Sequence, residues 1–215
     1  YLGSLLSIPE PSSLLISVII SYLLGAIPLA DRISRRRGVD IFRSGTGLAG
    51  STNVRKSVGK VPGAIVFIGD MAKGILVIPI AQALGIDGVW TIVPAAAAVV
   101  GHWNSVFTRF KGGDGLATLG GVTLATFPLY GLLGIVAAGV VALIGQRMPY
   151  VSLFNVITGY TVIVALSIAS DSDIKIPSAY GALATIVFAH AVVGHARRRR
   201  TSMASGLFVT EQFVE

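Results

Sequence analysis

Residues 115–146 read GLATLGGVTLATFPLYGLLGIVAAGVVALIGQ, 32 positions without a charged side chain. A helix crosses the hydrocarbon core of a bilayer in about 20 residues. The stretch is therefore too long for one crossing and short for two. Its flanks decide. Arg109 and Lys111 precede it and Arg147 follows it, and basic residues gather on the cytoplasmic side of a membrane. Both ends then face the cytoplasm, which requires an even number of crossings. Pro128, near the middle, marks the turn, because proline breaks the hydrogen-bond ladder of a helix. Two short, tilted helices are expected, the first thin enough to be a half-helix.

Working outward, the composition fixes the class. Hydrophobic residues make up 53% of the chain and charged residues 13%, against roughly 25% charged in a soluble domain. Further membrane-length apolar runs cover residues 12–30, 62–84, 89–107, 151–169 and 176–194, for a total of about seven helices. Residues 32–60 carry eight Lys/Arg and one acid, Asp40, whereas Glu10, Asp87, Asp171 and Asp173 fall in the opposite loops with Lys175 as the only base. The expected fold is an all-α polytopic membrane protein with its N-terminus outside and its C-terminus cytoplasmic. Parity and charge agree on that layout. Residues 1–196 read as a single membrane domain with cytoplasmic glycine-rich loops at 32–61 and 108–115, and residues 197–215 as a basic cytoplasmic tail. Arg197–Arg200 in that tail would lie against anionic headgroups, at about 1 kcal/mol per charge. The net charge of +7 is too clustered to describe a uniformly basic surface, and no nucleic-acid partner is expected. No cysteine is present, so disulfides and thiolate metal sites are excluded.

Two segments on the cytoplasmic side carry chemistry. Residues 45–53 read GTGLAGSTN, flanked by Arg43, Arg55, Lys56 and Lys60. Glycines let backbone N–H groups converge on phosphate oxygens, and basic side chains neutralise the charge. The same composition also makes ordinary turns. Residues 109–118 read RFKGGDGLAT, a second glycine turn opening a helix, and helix N-termini attract anions. Lys111 suits that role. Asp114 does not, since its carboxylate would satisfy the first-turn N–H groups itself.

Asp70 and Lys73 are buried charges in the second span. Their i,i+3 spacing allows them to neutralise each other, as a structural pair or as a substrate contact. Of the histidines, His102 and His195 fall near cytoplasmic helix ends, where each could donate to a phosphate. No nucleophile elbow, P-loop or metal-ligand set is present.

These blocks together resemble the bacterial integral-membrane acyl-phosphate:glycerol-3-phosphate acyltransferases, the PlsY type. The residues carrying the resemblance are Tyr22–Gly25, Gly38–Asp40, Gly45–Val54, Gly59-Lys60, Asp70, Lys73, Gly74, Gly101-His102, Phe110–Gly113 with Gly115, and Tyr150–Leu153. The resemblance implies transfer of an acyl group from acyl phosphate to the 1-hydroxyl of glycerol 3-phosphate, giving lysophosphatidic acid for phospholipid synthesis at the cytoplasmic face of the cell membrane. It implies no cofactor and no metal. Acyl phosphate, glycerol 3-phosphate and membrane lipid are the expected partners. A His with an Asp five positions on, the base and orienter of soluble glycerolipid acyltransferases, is absent: those positions hold Phe107, His195 and Arg200.

Carried over position by position, the resemblance makes Thr46, Lys56 and His195 the catalytic residues. It makes Gly45, Gly47, Gly50, Asn53, Arg55, Lys111, Gly112, Gly113, Asp114 and Asn155 the substrate-binding residues. Five positions depart from the family pattern. Thr46 stands for serine, Leu48 for asparagine, Lys56 for arginine and Asn155 for serine. Asp114 stands for lysine, a reversal of sign. A catalytically impaired or re-specialised paralogue binding another lipid or polyol phosphate is the alternative reading, and a small-solute transporter a more distant one. Oligomeric state is left open.

Overall fold

The computed structural model describes residues 8–145 and 151–204, with side chains for 8–145 and 154–194. Every regular element among them is helical. The chain runs α1 (Pro11–Ala26), α2 (Leu29–Arg35), α3 (Ser51–Ser57), α4 (Lys60–Ala83), α5 (Ile92–Trp103), α6 (Leu116–Thr126), α7 (Pro128–Ile144), α8 (Val151–Ala169) and α9 (Lys175–Ala204). Three helical segments, Pro11–Arg35, Lys60–Ala83 and Lys175–Gly194, are long and apolar enough to cross a membrane.

The uncharged stretch is two helices, α6 and α7, hinged at Phe127 with Pro128 at the start of the second. Proline is tolerated there because a first-turn N–H has no partner within the helix. Elsewhere the apolar runs are less regular than their composition implies. The first, expected to be continuous over residues 12–30, is broken between α1 and α2. Pro28 forces Ile27 into an extended conformation, φ −54° and ψ 116°, as a residue before proline prefers. The carbonyls freed at the break are used: Ser105 Oγ donates to Ala26 O at 2.5 Å and Lys73 Nζ to Ile27 O at 3.4 Å. The third run is also shorter than its hydropathy. Its helical part, α5, has 12 residues, with single 3-10 turns at Gly88–Thr91 and Val106–Thr108. At the other end of the chain, α9 runs on through the 196/197 boundary and carries Arg197–Arg200 as helix.

Close backbone contact holds the bundle together. A Cβ on Gly25 would run into the Ala98 carbonyl and one on Gly101 into that of Tyr22, so α1 and α5 touch along their backbones. Gly74 and Gly121 do the same for α4 and α6, against the carbonyls of Thr118 and Met71. In lipid, where apolar burial gives little drive, such packing is the main attraction between helices. A polar seam adds to it: Tyr180 on α9 donates to Thr91 at 3.2 Å and accepts from Thr126 at 2.9 Å, and Thr123 pairs with Tyr160 at 2.6 Å. These contacts bring the N-terminal end of α6, the C-terminal end of α5 and the loop before α3 to one side of the bundle.

Candidate active site

The first glycine loop is shaped from within. Asn53, in the first turn of α3 and 3% exposed, folds back beneath it. Its Nδ2 donates to the carbonyls of Ile41 (3.2 Å), Ser44 (2.9 Å) and Leu48 (2.9 Å). Its Oδ1 accepts from Thr46 N and from Ser57 Oγ, both at 3.2 Å. The amide is fully engaged, so Asn53 holds the loop rather than facing a ligand. Gly45 lies at φ +53° and directly over Asn53 Oδ1, where a Cβ would collide with it. Gly47 is left-handed as well, and Gly50 is extended at the start of α3. Leu48 is turned inward and buried, which accounts for an apolar residue in a polar loop. Thr46, Arg55 and Lys56 are exposed.

The second glycine turn lies across the end of α5 and is joined to the first loop. Ala49 N donates to Gly112 O at 3.1 Å, and Gly113 N donates to His102 O at 3.2 Å. A Cβ on Gly112 would collide with the carbonyls of His102 and Trp103; one on Gly113 would collide with His102 Nε2 and stand 2.7 Å from Ala49 O. Only glycine fits at either position. Asp114 Oδ1 accepts from Leu116 N at 3.2 Å, the helix-start role that its carboxylate suits. Lys111 is exposed, with Nζ 5.8 Å above the Phe42 ring of the first loop.

Beneath the turn is a buried polar centre. Lys73 Nζ stands 2.9 Å from Asp70 Oδ1, the pair expected from their spacing, and 2.9 Å from His102 Nδ1. The three residues are 5%, 2% and 7% exposed. With the ammonium donating to Nδ1, the ring proton sits on Nε2, which faces Gly113. A gap of about 10 Å³ between Asp70, His102, Ser105, Lys111 and Gly112 is the size of one water.

Two further spaces adjoin the loops. A cleft of about 220 Å³ is lined by Ser51, Thr52, Arg55, Lys60, Gly63 and Phe67. Phe67 also borders an apolar groove of about 330 Å³ that starts at Leu116, passes Gly120 and Gly159, and reaches Ile163. Asn155 lines that groove with its Oδ1 buried and without a hydrogen-bond partner among the described residues. Of the cleft walls, Arg55 and Lys60 follow from the basic flanks of the first loop, whereas Ser51, Thr52 and Phe67 are placed there by the packing of α3 on α4. The i,i+4 step from Ser51 to Arg55 was the available signal. His195 lies on α9, but its side chain is outside the described residues, as are those of Arg197–Arg200.

The family model described as glycerol-3-phosphate acyltransferase matches residues 15–204. Glycerol-3-phosphate acyltransferase 1 of Deinococcus radiodurans is 44% identical over 124 residues, which cover 58% of this chain and 63% of that protein. The glycerol-3-phosphate acyltransferase of Geotalea daltonii is 35% identical over 83% of this chain and 91% of its own. Among solved structures, PlsY, an integral membrane glycerol 3-phosphate acyltransferase crystallised in its glycerol 3-phosphate form, superposes with a TM-score of 0.69 at 31% identity, covering 90% of this chain and 93% of its own. Its lysophosphatidic acid form gives a TM-score of 0.67 over the same shares. The chain belongs to the glycerol-3-phosphate acyltransferase family.

Proposed function

We propose that this protein transfers an acyl group from acyl phosphate to the 1-hydroxyl of glycerol 3-phosphate at the cytoplasmic face of the cell membrane. The observation that carries the reading is the junction of the two glycine turns at Ala49 and Gly112, with basic and hydroxyl groups around it and an apolar groove beside it. In this reading the chain crosses the membrane seven times with its N-terminus outside. The glycine-rich loops and the C-terminus face the cytoplasm.

Thr46, Lys56, Lys111 and His195 hold the phosphate of glycerol 3-phosphate, with Arg55 and the backbone N–H groups of Gly45 and Gly50 beside them, while Gly47, whose N–H donates to Ser44 O, shapes the loop. Gly112 and Gly113 set the height of Lys111 over that phosphate. The acyl chain lies in the groove past Phe67, and Asn155 supplies a polar contact within it. The glycerol oxygen attacks the acyl carbonyl, the carbon–oxygen bond to phosphate breaks, and inorganic phosphate leaves. The hydroxyl proton passes to a phosphate oxygen of the substrates, so no side-chain base is needed. Positioning and preorganised positive charge supply the rate enhancement.

Asp114 supports a second reading. Two unit charges about 4 Å apart at an effective dielectric of ~20 interact by about 4 kcal/mol, and the Asp114 carboxylate already occupies the Leu116 N–H at the start of α6. A re-specialised paralogue, binding a polyol phosphate that avoids this position, is the alternative. The test is lysophosphatidic acid and phosphate release by purified protein from acyl phosphate and glycerol 3-phosphate. Turnover by the native chain is expected. Absence of turnover in a folded sample, with activity appearing in Asp114→Lys, would establish the alternative.

A further inference from the structure

The second glycine turn rests on two consecutive residues, and Trp103 is the one that reaches α9. Its indole Nε1–H donates to the Asp114 carbonyl at 2.8 Å. Its ring is stacked on His190 of α9, with centroids 4.0 Å apart and planes 16° from parallel. Gly115 shows how closely the turn lies on the indole: at φ +82°, a Cβ there would stand 2.6 Å from Nε1 and 3.3 Å from Cδ1. The Asp114–Gly115 peptide is thus clamped between the end of α5 and the start of α6. His190 stands five residues before His195 on the same helix.

We infer that Trp103 is a positioning residue for the acceptor side of the reaction, fixing the second glycine turn by its indole N–H and coupling that turn to α9 through the stack on His190. The physical basis is the carbonyl of Asp114. Without the indole donor, that half-buried oxygen faces the ring's place and reorients toward another donor. Reorientation of this peptide swings the turn upstream, which includes Gly112, Gly113 and Lys111. The stack works in the other direction. Phe and Tyr rings fit the face that His190 occupies, whereas an aliphatic side chain leaves the indole free to tilt.

Only the kinetic arm of the test rests on the acyltransferase reading. Amide hydrogen exchange over residues 111–118 of the full chain in bilayer discs reads the turn directly. Trp103→Phe, which keeps an aromatic ring but loses the donor, is expected to speed exchange there about tenfold, the scale of one hydrogen bond. His190→Leu is expected to speed it in the same direction although His190 is on another helix, and His190→Phe to restore the parental rate. In turnover, Trp103→Phe raises KM for glycerol 3-phosphate about tenfold, with kcat and the acyl-phosphate KM changed less than twofold. Unchanged exchange in Trp103→Phe overturns the proposal, as does a failure of His190→Phe to restore what His190→Leu loses. Exchange that shifts as stated without a change in KM leaves the clamp standing and removes the turn from the acceptor site.

Discussion

Replacing Lys73 with methionine is expected to cost the folded protein about 3–5 kcal/mol, the penalty of leaving one member of a buried ion pair alone. Asp70 is 2% exposed and has the ammonium 2.9 Å away. His102 Nδ1 stands 3.7 Å from the carboxylate and is engaged by the same ammonium. Methionine matches the length of lysine and keeps the packing of α4, so the loss isolates the charge. Two groups are left short at once, the carboxylate and the imidazole nitrogen, whereas the Ile27 carbonyl keeps the Leu29 N–H at 3.1 Å. Asp70→Asn in the Lys73→Met background removes the uncompensated charge, and at least half of the stability should return. Thermal unfolding in detergent micelles reads both. A single variant within about 1 kcal/mol of the parent, near the value of an ordinary surface pair, would mean that the centre is solvated and that Asp70 has other partners.

The same residues mark the limit of what could be read from the sequence. Asp70 and Lys73 are three apart on one helix, so their pairing follows from helical geometry alone. His102 joins them from a helix 29 residues further on, and no spacing rule reaches across that distance. The turn at Pro128 was legible because the basic flanks of that stretch required an even number of crossings and proline marked the place, although Pro79 sits inside α4 without ending it. Pro28 carried the same signal, but it lay near the end of the run at residues 12–30, where hydropathy alone still favoured continuity. At the site, residue types pointed to two anion-holding turns, and Asp114 to a helix start. The Ala49–Gly112 junction was not legible, since a backbone hydrogen bond leaves no trace in side-chain identity. Nor was the role of Asn53, since an asparagine in a glycine loop has the same composition whether its amide points outward to a ligand or, as here, inward to five partners.

That junction is where the second large effect is expected. Gly112→Ala should lower kcat/KM for glycerol 3-phosphate about 10²-fold, the scale of a 1 Å misplacement of a positioning group, with a stability loss of about 1 kcal/mol, that of one hydrogen bond. The methyl group would be driven into the carbonyls of His102 and Trp103. Both belong to the last turn of α5, which is pinned against α1 through Gly101, so the turn must give way rather than the helix. Lifting the turn breaks the Ala49–Gly112 bond and moves Lys111 away from the first loop. Gly113→Ala meets one backbone carbonyl, that of Ala49 at 2.7 Å, besides the end of the His102 ring, where Gly112→Ala meets two. Its loss should therefore be the smaller of the two. Gly181→Ala on α9, outside both site spaces, where a Cβ would meet only the Tyr160 ring at 3.9 Å, is the control for a change without a collision. The order Gly112 above Gly113 above Gly181 separates misplacement of the turn from a general intolerance of larger residues. Near-native turnover in Gly112→Ala would sink the assignment, because the two loops could then part without consequence for the acceptor phosphate.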